Sequence, residues 1–312
     1  MKKLSLLITL LLPLTLLLTA CSGGGGQHET KGRIHVYTTV FPLQYFTERI
    51  GGKYVDVKTI YPPGSDEHTY EPSQKDMMNL ADSDLFIYIG LGLEGFVEKA
   101  KETLKNENVS LLAAADKLKL PKDQHALDEE DGNGHEHSDV NPHVWLDPVY
   151  SKEMASSIKD ALIKKMPGKK ADFEKNYHQL AQELDQLNKD FKDTATKAPR
   201  KEIVVSHAAF GYWETRYGIK QISVSGLSTT NEPSQKKLEK IVSTVEQDGL
   251  KYILFEQNVN SKLGKIVQEE TSVKALPVHN LAILTKENIK NKETYFTLME
   301  KNLDTLKIAL YQ

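Results

Sequence analysis

From Lys169 to Lys197 the chain runs without proline or glycine, and apolar side chains recur at Phe173, Tyr177, Leu180, Leu184, Leu187 and Phe191. Steps of 4, 3, 4, 3 and 4 residues trace one face of an α-helix. At about 1.5 Å per residue the segment makes a rod of roughly 43 Å. A rod of that length can run along two lobes and limit their relative motion. Its apolar seam is one helix long, which favours packing within the chain over a coiled-coil arm for a partner.

On both sides of this rod, strand-like and helix-like segments alternate. Residues 34–40, 55–60 and 84–90 are rich in β-branched and aromatic side chains and read as strands. Residues 43–50 and 74–81 between them read as helices. The second half repeats the theme with strands at 202–206, 221–224 and 252–255, and helices at 235–246 and 262–270. Alternation of this kind predicts parallel βα units. A length of 312 residues asks for two lobes. The expected fold is therefore α/β, two lobes of parallel βα units joined by a long rigid helix. Glu71-Pro72-Ser73-Gln74-Lys75 in the first half is echoed by Glu232-Pro233-Ser234-Gln235-Lys236 in the second. Serine ahead of a helical stretch is an N-cap signal. The echo reads either as two unrelated caps or as two lobes of similar plan, each bringing a helix start to one cleft.

The N-terminus stands apart from this pattern. Met1-Lys2-Lys3 is positive, an apolar run follows to Leu18, and Leu18-Thr19-Ala20-Cys21 ends it. This reads as a secretory signal, too short to span a bilayer. Cys21 is the only cysteine, so no internal disulfide is available. Leu-Thr-Ala-Cys resembles a bacterial lipobox, in which the cysteine is acylated and becomes the first mature residue. Ser22 and four glycines then suit a flexible tether. The expected organisation is a signal peptide at 1–20, a lipid-anchored tether at 21–32, and an N-terminal lobe at 33–146. A helical linker at 147–199 and a C-terminal lobe at 200–312 follow.

A formal net charge of −3 and the lack of any basic stripe argue against a nucleic-acid partner. Residues 123–139 have almost nothing apolar and carry His125, His135 and His137 among acidic residues and glycines. They predict a loop with no core to join.

Of ten histidines, His28 and His178 read as solvated and His35 as part of a strand. Four others lie in loops at strand ends or between prolines. His68 leads from a strand toward the Ser73 cap, His143 lies in Asn141-Pro142-His143-Val144-Trp145-Leu146-Asp147-Pro148, His207 follows the strand 202–206, and His279 follows Pro277-Val278. Each taken singly is equally compatible with a surface or a satisfied buried histidine. Together they suit an imidazole site for zinc, copper, nickel or iron; magnesium and calcium prefer oxygen. No sequential zinc signature such as CxxC or HExxH is present.

These phrases carry a resemblance. The lipobox, the Glu67-His68 loop ending in Glu71-Pro72-Ser73, the acidic histidine loop, Pro-His-Val-Trp-Leu and Ser206-His207-Ala208-Ala209-Phe210-Gly211-Tyr212 resemble the zinc/manganese solute-binding lipoproteins of ABC importers, the ZnuA/AdcA-like group. The resemblance covers essentially the mature chain. It implies a metal-type periplasmic-binding-protein fold with metal held between the lobes, and carries His68, His143 and His207 over as ligands. Manganese-type members tend to have Glu where this chain has His207, so the resemblance favours Zn2+ over Mn2+. Many zinc-type members draw a fourth ligand from a C-terminal Glu, whose position here is Ala282. His279 is the expected substitute, with water or Glu67 as alternatives. Glu67 and Glu256 are the candidate outer-shell carboxylates. The loop histidines His125, His135 and His137 are an auxiliary collecting site in this reading.

The function expected is extracytoplasmic capture of zinc by a monomer anchored to the cell membrane through Cys21. Delivery goes to the permease and ATPase subunits of an ABC importer. A manganese carrier, a surface adhesin and a zinc hydrolase are the alternatives. The hydrolase lacks an evident base or nucleophile, since Ser206 lies in no Gly-x-Ser-x-Gly elbow. Because imidazole must be neutral to ligate, binding is expected to weaken as pH falls through about 6.5.

Overall fold

Each half of the chain builds a four-stranded parallel sheet, and both sheets have the same strand order. The structure, a computed structural model, describes residues 32–121, 140–228, 233–257 and 261–312. The expected signal, the Cys21 anchor, the tether and His125, His135 and His137 lie outside these residues.

The first half comprises β1 (Ile34–Thr38), α1 (Phe41–Gly51), β2 (Val55–Thr59), α2 (Gln74–Ala81), β3 (Leu85–Tyr88), α3 (Val97–Leu104) and β4 (Ser110–Ala113). Its strand order is β2-β1-β3-β4. Helices α4 (Pro148–Lys165) and α5 (Lys170–Lys197) follow. The second half comprises β5 (Glu202–Val205), α6 (Gly211–Tyr217), β6 (Lys220–Ser223), α7 (Gln235–Gln247), β7 (Tyr252–Glu256), α8 (Lys262–Thr271) and β8 (Lys274–Val278). Its order is β6-β5-β7-β8. Short α9 (Lys286–Lys290) and α10 (Tyr295–Leu310) end the chain. In a sheet of this order the direction of winding reverses between the first and third strands, and the crevice at their C-terminal ends is where open α/β sheets bind ligands.

The serines of the two echoed phrases occupy equivalent places. Ser73 caps α2 by accepting from Asp76 N, with the Asp76 side chain returning the bond. Ser234 caps α7 by accepting from Lys237 N. Each helix follows the second strand of its half.

The rod read from the sequence is α5, 28 residues long. Phe173, Leu180, Leu184, Leu187 and Phe191 are all buried along one face. Burying each is worth roughly 1.5–3 kcal/mol relative to exposure. That face packs on α4 and α1, and α10 packs back onto α5, α1 and β8. The Tyr295 ring meets Phe46 of α1 at 4.9 Å. One continuous core therefore runs from Phe46 through Phe173 and Leu184 to Trp213, Tyr295 and Leu306. A smaller cluster around Val204, Val245, Ile253 and Val267 lies within the second half. The C-terminal helix thus crosses from the second sheet to helices of the first half, a packing that the linear division of the sequence does not suggest.

Candidate metal centre

His68 lies in the loop between β2 and α2. Two local bonds shape this loop: His68 N–H donates to Asp66 Oδ1 at 2.9 Å, and Tyr61 O–H donates to the Glu67 carbonyl at 3.2 Å. His143 sits before the single 3-10 turn Val144–Leu146, hemmed by Pro142 and Pro148. His207 leaves the end of β5 in extended conformation, just before the turn Ala208–Phe210. Two loops and the crevice of the second sheet thus deliver three imidazoles to one point.

Among the described residues, His68, His143 and His207 form the group able to close on one ion, with one ring nitrogen of each within 4.8 Å of the others. Ring centroids are 5.3 Å apart for His68 and His143, 5.4 Å for His68 and His207, and 4.8 Å for His143 and His207. His143 and His207 are fully buried, and Trp145 walls the site 5.3 Å from the His143 ring.

Tautomers follow from the hydrogen bonds. Asn141 Oδ1 accepts from both His143 N–H (3.0 Å) and its ring Nδ1 (2.8 Å), while Asn141 Nδ2 donates to the Ala208 carbonyl at 3.1 Å. Those partners fix the amide orientation and place the His143 proton on Nδ1. Its Nε2 is left bare. His143 Nε2 and His68 Nε2 are both buried without a hydrogen-bond partner. Such orphaned groups are costly unless something binds them.

His207 differs. Its Nδ1 faces Glu256 Oε1 and Oε2 at 3.1 and 3.3 Å, and its Nε2 faces the Leu227 carbonyl at 2.9 Å. All these neighbours are acceptors, so both nitrogens donate and the ring is an imidazolium. Burial alone opposes that charge, but Glu256, the Leu227 carbonyl and Glu67 prevail and raise the pKa to about 9. Burial, with the charge on His207, lowers His68 to about 4. Burial also holds His143 well below the usual range, with His207 and His68 adding to it. The three rings together make one cation beside two neutral imidazoles.

Glu256, expected in the outer shell, lies at the end of β7 against His207 and also accepts from Ser206 Oγ at 3.4 Å. Glu67 is buried at the edge of the triad, with Oε1 4.0 Å from His68 Nε2. Burial raises its carboxyl to about 7, partly offset by a backbone hydrogen bond and the positive His207.

His279 does not join the triad. Its Nδ1 accepts from Leu281 N–H at 3.0 Å and its Nε2 pairs with Asn288 Oδ1 at 3.2 Å, so both nitrogens serve the fold of their own loop. The residue expected as fourth donor is thus engaged within its own loop. Sequence reasoning also passed over Asn141, the Leu227 carbonyl and Asn280, whose amide donates to Glu67 Oε1 at 2.9 Å.

Residues 36–309 match the family ZnuA, described as the periplasmic component A of a zinc-uptake complex. The chain belongs to the ZnuA family. It is 36% identical over 309 residues to the zinc-binding lipoprotein AdcA of Streptococcus pneumoniae R6, covering 98% of this chain and 61% of that protein. The chain therefore spans about three-fifths of that relative's length. It is also 34% identical to the high-affinity zinc uptake system protein ZnuA of Bacillus subtilis 168, covering 95% of this chain and 94% of the relative.

Solved structures share the fold. The Zn(II)-bound ZnuA-like domain of S. pneumoniae AdcA superposes with a TM-score of 0.75 at 33% identity, covering 90% of this chain and all of that domain. The laminin-binding protein Lmb of Streptococcus agalactiae, described as bifunctional with adhesin and metal transporting activity, gives 0.78 at 28% identity over 89% of this chain and 99% of its own. No helix among the described residues of this ZnuA-family chain is long and apolar enough to cross a membrane.

Proposed function

We propose that this chain captures zinc outside the cytoplasm and hands it to the permease of an ATP-driven importer, working as a monomer tethered through Cys21. The observation that carries the reading is the pair of buried, unpartnered Nε2 atoms of His68 and His143 beside His207. Zinc is bound by the three imidazoles at about 2.0–2.1 Å. Glu67, at the edge of the triad, supplies the fourth donor. Glu256 holds the His207 ring and accepts its remaining N–H. Imidazole-rich sites suit zinc better than manganese, which takes carboxylate and water.

The triad serves carriage rather than hydrolysis. A catalytic zinc keeps an open position for water and substrate, whereas His143 and His207 are fully covered and Glu67 is buried beside His68. Release then requires the loops or lobes to move, driven by docking to the permease. Residues 123–139, with His125, His135 and His137, gather zinc weakly and pass it inward. Deleting them slows uptake from zinc-poor medium while sparing the inner site; unchanged uptake contradicts this role.

The reading is tested by titrating the full chain, purified in detergent and stripped of metal, against a chromophoric chelator. One tight zinc per chain that is lost in His143→Ala supports it, and a tight site that survives in the variant overturns it. Mass spectrometry of the N-terminal peptide tests the anchor: Cys21 acylated supports it, and a free thiol contradicts it.

A further inference from the structure

The loop after β8 supplies no metal donor of its own, yet it grips the site. Ala282 carries no ligand atom, and both ring nitrogens of His279 are engaged with Leu281 N–H and Asn288. Between them stands Asn280, which is 2% exposed. Its Nδ2 donates to Glu67 Oε1 at 2.9 Å across 213 residues of sequence. Its Oδ1 accepts from Ala282 N–H at 3.0 Å. Because that second bond requires the oxygen on the Ala282 side, the N–H2 group must face Glu67.

The backbone around Asn280 is anchored equally firmly. The Asn280 carbonyl accepts from Trp145 Nε1 at 2.5 Å, and the Ala282 carbonyl accepts from Phe41 N–H at 2.8 Å. Leu281, between them, is buried with φ at 61°. A branched residue enters that left-handed region only where its surroundings impose it. Here the imposed turn aims the Asn280 side chain at the first half of the chain.

We infer that Asn280 is a positioning residue that holds the Glu67 carboxylate at the rim of the histidine triad, so that this carboxylate serves as the fourth donor to zinc. The inference rests on the function proposed above. A neutral amide suits the task. It ties one carboxylate oxygen through one N–H and leaves the anion's charge intact, whereas a lysine or arginine would neutralise it. Its amide joins a backbone hydrogen bond in holding that carboxylate. Without it, a buried carboxylate would have to find another partner or shed its charge. The division of labour matches the composition of the loop: where Ala282 offers no donor, Asn280 recruits one from the opposite side.

The test uses the full chain, metal-stripped in detergent, as wild type, Asn280→Ala, Asn280→Ser, Glu67→Gln and the double variant Glu67→Gln with Asn280→Ala. Zinc affinity is read by chelator competition. The visible spectrum with one equivalent of cobalt reports whether a carboxylate completes the shell. Loss of an outer-shell partner costs about 10- to 100-fold in metal affinity. Asn280→Ala is expected to fall in that range and to move the cobalt spectrum toward that of Glu67→Gln. The double variant is expected to bind no more weakly than Glu67→Gln alone. Should the alanine variant not fold, the serine variant gives the same readouts. An Asn280 variant that melts earlier but keeps wild-type zinc affinity and cobalt spectrum overturns the inference, as do losses that multiply in the double variant. Failure of the underlying reading is distinguishable, because wild type itself would then show no tight site that depends on His143.

Discussion

His207 and Glu256 face each other at 3.1 Å inside the protein, and the opposite nitrogen of the same ring points at the Leu227 carbonyl at 2.9 Å. Both nitrogens of the ring proposed to bind zinc therefore carry a proton. On the function proposed above, capture of zinc exchanges one of those protons for the ion.

The exchange sets the pH dependence. With His207 at about 9, zinc affinity falls about tenfold per pH unit as pH drops below that value. Glu67, raised to about 7, adds a second proton to the competition below neutrality. His68, lowered to about 4, and His143, held lower than usual by burial, stay neutral and add no slope until strongly acidic pH. An ordinary histidine places the loss near 6.5, so the buried Glu256 moves its onset upward. Calorimetry in buffers of different ionisation heat is expected to find about one proton released per zinc at pH 8 and more below 7.

Glu256→Gln separates proton storage from ring orientation. The amide still accepts from His207 Nδ1 but no longer supports a cation, so burial drives the ring neutral. Affinity at pH 9 is expected to drop about tenfold, the lower end for an outer-shell loss. At pH 7 the deficit should shrink, because no proton remains to be displaced. Chelator competition at both values checks this.

His143→Ala removes a bare Nε2 from the centre of the triad. Affinity is expected to fall by more than about 100-fold, beyond the range seen for outer-shell partners. His279→Ala, by contrast, is expected to leave zinc affinity within about twofold, since its nitrogens hold Asn288 and Leu281. Circular dichroism should show both variants folded, with His279→Ala melting earlier because its loop loses two bonds.

Leu184, fully buried on α5, tests the rod. Leu184→Ala is expected to cost about 2–5 kcal/mol of unfolding free energy. Zinc affinity of the folded fraction should be unchanged. Denaturant titration with and without zinc separates the two effects.

Much of this was legible in the sequence where local chemistry decides structure. The helix read at 74–81 coincides with α2 because Ser73 caps it and Asp76 closes the box. The seam of α5 was visible because its period is unbroken over 28 residues. Strands β4 and β8 were not read. Both are edge strands of mostly half-covered or exposed residues, and β8 contains Pro277, tolerated because it pairs on one side alone. The crossing of α10 onto α1 depends on packing between distant segments and leaves no local trace. At the site, histidines at strand ends stood out by residue type and place. Asparagine carries no such signature. Asn141 is oriented toward His143 by Ala208, 67 residues away, and Asn280 acquires its role through Glu67, 213 residues away. His279 had the right residue type in the right loop, and only the Asn288 and Leu281 bonds show what it does.

The most direct test is a competition between zinc and manganese for the metal-stripped full chain, with His207→Ala alongside. One tight site is predicted that prefers zinc by orders of magnitude and is lost in the variant. Manganese competing evenly, or tight zinc binding that survives the loss of His207, would contradict zinc capture by this triad.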